Sequence, residues 1–213
     1  MSFPYETKHM RSVIILSFLV FSATRVAAQQ ANNGIKHKFH LGIELNGGAF
    51  GLFNVEDADD TNQQFAKADP TWGGTLVAEG KVLKWLYVGG ECMVLFAKSV
   101  RASEPRLILS PHARVRAEFS VHPKWRIDIL AAGGMTIWPE NDNESALSPS
   151  ISATRIGWST RFAAGTSFLI NEKSSLYLNV GYGAFSSSGN DIWVTHDSML
   201  IGLGYRLKLM PTS

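Results

Sequence analysis

This chain of 213 residues has little of what most functional classes require. Cys92 is the only cysteine, which excludes an intramolecular disulfide and any site built on a CxxC pair. Charged residues make up only 18% of the chain and form no basic block, so nothing indicates a nucleic-acid partner. We find no glycine-rich phosphate loop, nucleophile elbow or HExxH motif, and we predict no cofactor, no metal site and no catalytic residues.

Long apolar runs are also missing after residue 28, although a transmembrane helix needs about 20 apolar residues. Met10–Ala28 does look like a secretory signal peptide, with Arg11 as its positive end and Val13–Phe21 as its apolar core. Removing residues 1–28 takes three of 20 basic and one of 18 acidic residues, which leaves 17 of each sign. We therefore predict a neutral, exported chain, with translation starting at Met1 or at Met10.

What the sequence does contain is alternation of apolar and polar residues. Residues 113–120 have apolar side chains at odd positions and polar or charged ones at even positions. After a break at 121–124 the alternation resumes over residues 125–130. Because successive side chains of a strand point to opposite faces, this stretch is predicted to be a hairpin with one apolar and one charged face.

Comparable segments recur and predict about eight strands. They begin at Phe39 and at about residues 71, 86, 106, 125, 151, 176 and 196, and the last one ends at Leu209. Short turns at residues 83–85, 121–124 and 171–174 alternate with longer predicted loops at Asn54–Pro70, 98–105, 139–149 and Ser186–Asp191. An even strand number with short turns on one side and long loops on the other is typical of bacterial outer-membrane barrels. Pro111, which cannot donate to a strand ladder, is predicted to lie at the outer rim.

The predicted fold class is therefore all-β: a closed antiparallel up-and-down transmembrane β-barrel of about eight strands in the bacterial outer membrane. Residues 1–28 are the predicted signal peptide, 29–36 a short N-terminal segment and 37–210 the barrel. Glycines 47, 48 and 51 are predicted to let the first strand bend.

The pattern over residues 37–209 resembles the small outer-membrane β-barrel proteins of the OmpA/OmpX-like group. The closing stretch Gly202–Leu209 is similar to the segment that such proteins present to the barrel-assembly machinery. In that group the last residue is usually aromatic, whereas here the strand ends in Leu209 and residues 210–213 follow. The resemblance implies outer-membrane lipids and the assembly machinery as partners, a monomer, and an unidentified ligand of the surface loops.

An eight-stranded barrel has an interior just wide enough for side chains to fill, and a buried unpaired charge is costly. We therefore predict an ion-pair network that plugs the lumen. Its predicted members are Glu44, Glu79, Glu91, Arg114, Arg116, Glu118, Arg126, Asp128, Arg155, Arg161 and Arg206. The predicted lipid-facing residues are Leu41, Ile43, Val115, Phe119, Ile127, Ile129, Phe162, Leu178, Val180, Ile201, Leu203, Tyr205 and Leu207.

Aromatic residues near predicted strand ends are interpreted as girdles at the two membrane interfaces. They are Trp72, Trp85, Tyr87, Trp125, Trp138, Trp158 and Trp193. Cys92 is interpreted as a small lipid-facing residue. The acidic stretches Glu56–Asp60 and Glu140–Glu144 lack the spacing of a calcium loop and are interpreted as solvated loops.

The predicted function is a structural or surface-interaction role, with the long outer loops as the interaction surface. Three alternatives remain: a narrow channel, a lipid-modifying barrel enzyme, and a periplasmic lipocalin-like barrel that binds a small apolar ligand. The enzyme would use His112 near Ser110 and Glu118, or His196 near Asp197 and Ser198, and neither group forms a recognised motif. The lipocalin-like barrel would turn its apolar face inward.

Overall fold

The protein is described here from a computed structural model, which covers residues 39–57, 63–98, 105–139, 154–189 and 192–209. The predicted signal peptide and the acidic stretch at 140–144 lie outside these residues. Within them, no helix is long and apolar enough to cross a membrane. The strands are β1 (Phe39–Asp57), β2 (Gln63–Lys67), β3 (Thr71–Lys81), β4 (Leu86–Ala97), β5 (Arg106–Ser120), β6 (Trp125–Trp138), β7 (Arg155–Asn171), β8 (Ser174–Gly189) and β9 (Ile192–Leu209).

The strands form one antiparallel sheet that closes on itself when β1 pairs with β9. On its other side β1 pairs with β3 as far as Gly48 and Thr71, and then with β2 from Leu52 and Lys67 onward. Strands β2 and β3 therefore follow one another along β1 and share one position in the wall. The result is a closed up-and-down barrel of eight strands plus one extra strand, which confirms the predicted fold class.

Strands at the outer end of the barrel are longer than predicted. The predicted loop Asn54–Pro70 is wrong, because β1 continues to Asp57 and β2 follows it within that segment. The predicted loop Ser186–Asp191 is also wrong, because β8 continues to Gly189 and β9 begins at Ile192. These segments are polar and do not alternate, yet a strand that extends beyond the lipid needs no apolar outer face.

A β-bulge in β1 changes which positions face the interior. Ala49 pairs with Met199 and Leu52 with Asp197, so β1 has one more residue than β9 between these pairs. Glu44 is buried before the bulge and Phe53 after it, so the inward positions change from even to odd numbers. Phe50 at the bulge has a φ of 57° and is 88% exposed.

Pro111 lies within the wall and not at the rim, so that prediction is wrong. It is in the middle of β5, where it pairs with Cys92 of β4 on one side. On the other side the β5–β6 pairing omits Ser110 and Pro111, so no ladder bond requires the missing N–H. Gly134 of β6 approaches closely here, because a Cβ at this position would collide with the Pro111 carbonyl oxygen.

The outer wall of the barrel is apolar. Every residue predicted to face lipid lies on it, with exposures from 38% for Leu207 to 58% for Phe162. On β9 the outward positions from Met199 to Leu209 are all apolar, and these 11 residues match the length of a tilted transmembrane strand. The lipocalin-like alternative requires the opposite orientation of every strand.

Two of the predicted girdle residues face inward. Tyr87 and Trp138 are only 2% and 3% exposed, so their assignment to the membrane interface is wrong. Their positions follow the strand alternation, since Tyr87 shares its parity with Glu91 and Trp138 shares its parity with Asp128. The other predicted girdle residues, Trp72, Trp85, Trp125, Trp158 and Trp193, are exposed on the outer wall.

Candidate functional site in the barrel interior

The interior of the barrel has two compartments of opposite character. The half next to Phe39, Leu209 and the short turns holds nearly all the buried charges, and we call it the charge network. The other half, next to the longer connections, holds a cluster of apolar side chains, which we call the outer apolar cluster. Its members are Phe53, Ala66, Met93, Leu95, Ala97, Ile108, Trp138, Phe185, Val194 and Leu200.

Arg116 is the centre of one part of the charge network. This part is the one nearest the short turns, and we call it the lower part. Its Nη2 atom donates to Glu79 Oε1 at 2.6 Å, and its Nε atom donates to the same oxygen at 2.8 Å. Its Nη1 atom donates to Glu118 Oε2 at 2.7 Å and to Asp128 Oδ1 at 2.8 Å. The guanidinium also lies 4.1 Å from the centre of the Tyr87 ring. One cation therefore holds three carboxylates, which come from β3, β5 and β6.

The upper part of the network is built on Glu91 and Glu44. Arg114 Nη1 donates to Glu91 Oε2 at 2.6 Å, while Arg114 Nε lies 3.4 Å from Glu79 Oε2 and so links the two parts. Arg161 forms ion pairs with Glu44 and with Glu91. Asn179 donates to Glu44 Oε2 at 3.2 Å. With Arg206, which lies 3.5 Å from Glu79, all eight wall positions contribute a side chain.

The network is balanced in charge. Its ion pairs join five carboxylates to five guanidinium groups, so the barrel carries no net charge here when its histidines are neutral. The members are Glu44, Glu79, Glu91, Glu118 and Asp128 with Arg114, Arg116, Arg126, Arg161 and Arg206. Arg126 lies at the lower rim with its side chain 25% exposed. Arg155 was predicted to join this network, but it lies at the outer end of β7.

Several buried members of the site were not predicted from the sequence. The His40 ring stacks on the Tyr87 ring with 4.8 Å between the ring centroids, and the Nδ1 atom of His40 lies 3.5 Å from Glu79 Oε1. Arg206 lies over the ring of Tyr177 at 4.5 Å. His40, Tyr87 and Tyr177 occupy inward parities, and this signal in the sequence could have identified them. Gly202 on β9 leaves room for Glu44, because a Cβ there would collide with the carboxylate.

His112 joins a carboxylate to a hydroxyl in the way that a catalytic triad does. Its Nδ1 atom lies 3.0 Å from Glu91 Oε1, and its Nε2 atom lies 2.7 Å from Ser159 Oγ. Ser159 Oγ also donates to the Met135 carbonyl at 3.0 Å. The enzyme considered from the sequence would use His112 with Ser110 and Glu118, but all three of these residues are buried inside the barrel. Ser159 is 1% exposed, so this hydroxyl is sealed from substrate.

The outer apolar cluster closes the other half of the interior. The Phe53 ring lies between the rings of Trp138 and His196. Its centroid is 6.2 Å from that of Trp138, in an edge-to-face arrangement, and 4.6 Å from that of His196. The His196 ring also stacks on the Phe185 ring, with 6.1 Å between the ring centroids. Its Nε2 atom forms a hydrogen bond of 3.2 Å with Thr71 Oγ1. These rings come from β1, β6, β8 and β9 and so cross the interior from several sides. Because His196 faces inward, a site that combines it with the outward Asp197 is not formed.

A known structure shares this architecture. Neisserial surface protein A has 12% identity to this chain over 80% of this chain and 97% of its own, with a TM-score of 0.53. The outer membrane protein OprG from Pseudomonas aeruginosa is 12% identical to this chain. The match covers 81% of this chain and 96% of OprG, with a TM-score of 0.49. No protein-family model matches the sequence, and no curated protein matches it.

The similarity to the neisserial protein establishes a shared fold and, at 12% identity, nothing beyond the fold. The physical features of this chain agree with that fold: a closed barrel, an apolar outer wall and a buried, charged interior. Lipid is the environment that such a wall requires, because the exposed leucines and isoleucines on it would otherwise face water. The chain therefore has the fold of the small bacterial outer-membrane β-barrels and belongs in that membrane.

Proposed function

We propose that this protein is a closed, non-conducting barrel that anchors its outer connections in the membrane as an interaction surface. The observation that carries this proposal is that both compartments are filled with side chains. Arg114, Arg116 and Arg161 are among the largest fully buried side chains, and so are Phe185 and Met93 of the outer apolar cluster. An eight-stranded barrel leaves no aqueous channel once its inward side chains are packed.

The charge network opposes ion passage because its members already neutralise one another. An ion that entered would have to separate buried pairs, and breaking such a pair costs about 3–5 kcal/mol. Above the network, an ion would meet the outer apolar cluster, which offers few groups to replace its hydration shell. The two compartments therefore act as barriers in series.

The outer connections are the proposed interaction surface, since loops on a rigid scaffold commonly carry binding functions. They include residues 58–62, 99–104 and 140–153, which lie outside the described part of the chain. We further propose that the protein is a monomer and that its closing strand, β9, is recognised by the barrel-assembly machinery during insertion. The position of β9 supports the second proposal, because β9 is the last strand of the chain and closes the barrel by pairing with β1 along nearly its whole length.

Planar-bilayer recording tests the proposal. We expect the wild-type protein, shown to be folded by its mobility shift on a semi-native gel, to give no discrete conductance steps. Alanine at Glu79 and Arg116 together with alanine at Phe53 and Phe185 removes bulk from both barriers, and this variant is expected to conduct. Regular conductance steps from the folded wild-type protein would contradict the proposal.

A control variant shows whether conduction arises from the interior. Alanine at Leu41, Ile129, Val180 and Ile201 also shortens four side chains, but these lie on the outer wall. This variant is expected to remain silent, because the lumen is unchanged. Conductance from it would mean that loss of wall stability, and not removal of the barriers, produces the steps.

The role we propose is not enzymatic, although the Glu91–His112–Ser159 arrangement suggests a direct test. We expect a fluorophosphonate probe to leave Ser159 unlabelled in the folded barrel, because its hydroxyl is buried and hydrogen-bonded to His112 and Met135. Mass spectrometry of the labelled protein measures this, with Ser159→Ala as the matched control. Covalent modification of Ser159 in the folded protein would instead indicate an open hydrolytic site.

A further inference from the structure

Two neighbouring short turns each carry a lysine at the tip. Residues 83–86 form the turn between β3 and β4, where a hydrogen bond of 3.3 Å joins the first carbonyl to the last N–H. Residues 122–125 form the turn between β5 and β6, where the same bond measures 3.1 Å. Lys84 and Lys124 are central residues of these turns, so they lie farthest from the barrel wall. Both side chains are exposed, and neither has an ion-pair partner among the described residues.

A row of aromatic side chains covers the outer wall next to these turns. The Trp85 ring, just before β4, stacks on Phe119 of β5 with 6.3 Å between the centroids. The Trp125 ring of β6 lies 5.0 Å from that of Phe168 of β7, so the row extends from β4 to β7. Aromatic rings on the outer wall favour the boundary between hydrocarbon and headgroups. The lysines at the turn tips are therefore placed at the depth of the lipid phosphates.

The exposed charge at these two turns is not offset by carboxylates. Among the described residues at this end of the barrel, Glu172 is the only exposed carboxylate, because Glu118 and Asp128 are buried and pair with Arg116. Glu172 is adjacent to Lys173 at the tip of the turn between β7 and β8, so that turn carries no net charge. The lysines of the other two turns have no such neighbour.

The two turns are close enough to act on one headgroup. Because β4 pairs with β5, the β3–β4 and β5–β6 hairpins are adjacent in the wall. Their centres are about 10 Å apart, which is twice the spacing between neighbouring strands. A lysine has a flexible four-carbon stem that can lie along apolar surface while its ammonium group reaches a polar partner. Lys84 and Lys124 can therefore converge on one phosphate from neighbouring turns.

We propose that these two turns bind the headgroup of an anionic glycerophospholipid in the leaflet that faces the periplasm, where the short turns of such barrels lie. Lys84 and Lys124 hold the phosphate, and the acyl chains lie against the aromatic row. A zwitterionic lipid fits less well, because its own ammonium group competes with the lysines for the phosphate. The site is independent of the proposed closed lumen, because it lies on the outside of the barrel.

Native mass spectrometry of the full, folded barrel in detergent micelles measures lipid binding directly. We expect phosphatidylglycerol to bind more tightly than phosphatidylethanolamine with identical acyl chains. Lys84→Gln and Lys124→Gln are each expected to weaken binding of phosphatidylglycerol about fivefold and to leave phosphatidylethanolamine unaffected. The double variant is expected to bind the two lipids equally. Lys173→Gln is the matched control, because it removes a turn lysine that already has an adjacent carboxylate, and it is expected to leave the preference unchanged.

Comparison of ligands on the wild-type protein keeps the test decisive even if one variant lacks the gel mobility shift of a folded barrel. Glycerol 3-phosphate has the phosphate without the acyl chains, and an equal concentration of it is expected not to displace phosphatidylglycerol. The proposal is overturned if the wild-type protein binds both lipids equally or if glycerol 3-phosphate displaces the lipid. It is also overturned if the folded double variant keeps the preference, or if Lys173→Gln weakens binding as much as the other substitutions do.

Discussion

Replacing Arg116 by methionine is expected to lower the free energy of unfolding by about 3–5 kcal/mol, one of the largest effects of any single substitution in this barrel. Arg116 lies within 2.8 Å of oxygens from Glu79, Glu118 and Asp128, and it is 1% exposed. Methionine fills similar space but leaves these carboxylates without their central cation. Arg206, at 3.5–3.8 Å from the same groups, compensates only in part.

The measurement is equilibrium unfolding in urea, with the protein in lipid vesicles and tryptophan fluorescence as the signal. Arg126→Met is the control, because Arg126 pairs with Glu118 alone and its side chain is 25% exposed. Partly solvated pairs contribute little, so we expect a loss of about 1 kcal/mol or less. Equal losses for the two substitutions would contradict a central role for Arg116.

Most of the fold could be predicted because its determinants are local in sequence. Strand alternation at residues 106–120 and 125–138 and the short turn between them depend on neighbouring residues alone. The partners of the charged residues depend instead on closure of the barrel. Arg161 meets Glu44 across 117 positions of sequence, and no local pattern specifies that pair. Inward orientation could thus be predicted residue by residue, while the contacts could not.

Prediction failed where residue type was given more weight than strand parity. Trp138 and Tyr87 were assigned to the interface because they are aromatic near strand ends, although their parity matched that of buried charges. Phe53 shows a different limit: glycines 47, 48 and 51 predicted a bend in the first strand, but they did not indicate that the bulge at Ala49–Leu52 would reverse the parity of β1. Phe53 and Trp138 belong to the outer apolar cluster, where apolar side chains gain more by packing inside the barrel than by facing outward, whereas Tyr87 lies in the charge network and stacks on His40.

Arginine at Leu203 is expected to destabilise the barrel by about 2–4 kcal/mol, provided that the outer wall faces hydrocarbon. Leu203 is 57% exposed on β9, and it pairs with Leu45 on one side and with Leu178 on the other. Both neighbours are themselves exposed leucines, so the substituted guanidinium would have no polar partner on the wall. In water the same change at an exposed strand position would cost little.

Leu52→Arg is the control variant, which distinguishes the effect of depth in the membrane from the effect of introducing an arginine. Leu52 is 48% exposed on the same wall, but its strand partners are Asp197 and Lys67, so charges already occupy this height. The cost of arginine near an interface falls to about 0–1 kcal/mol, and urea unfolding in vesicles should resolve the difference from Leu203→Arg. Equal costs at both positions would mean that the wall near Leu203 is not in hydrocarbon. A large cost at Leu203 alone would place the upper boundary of the hydrocarbon between the two residues.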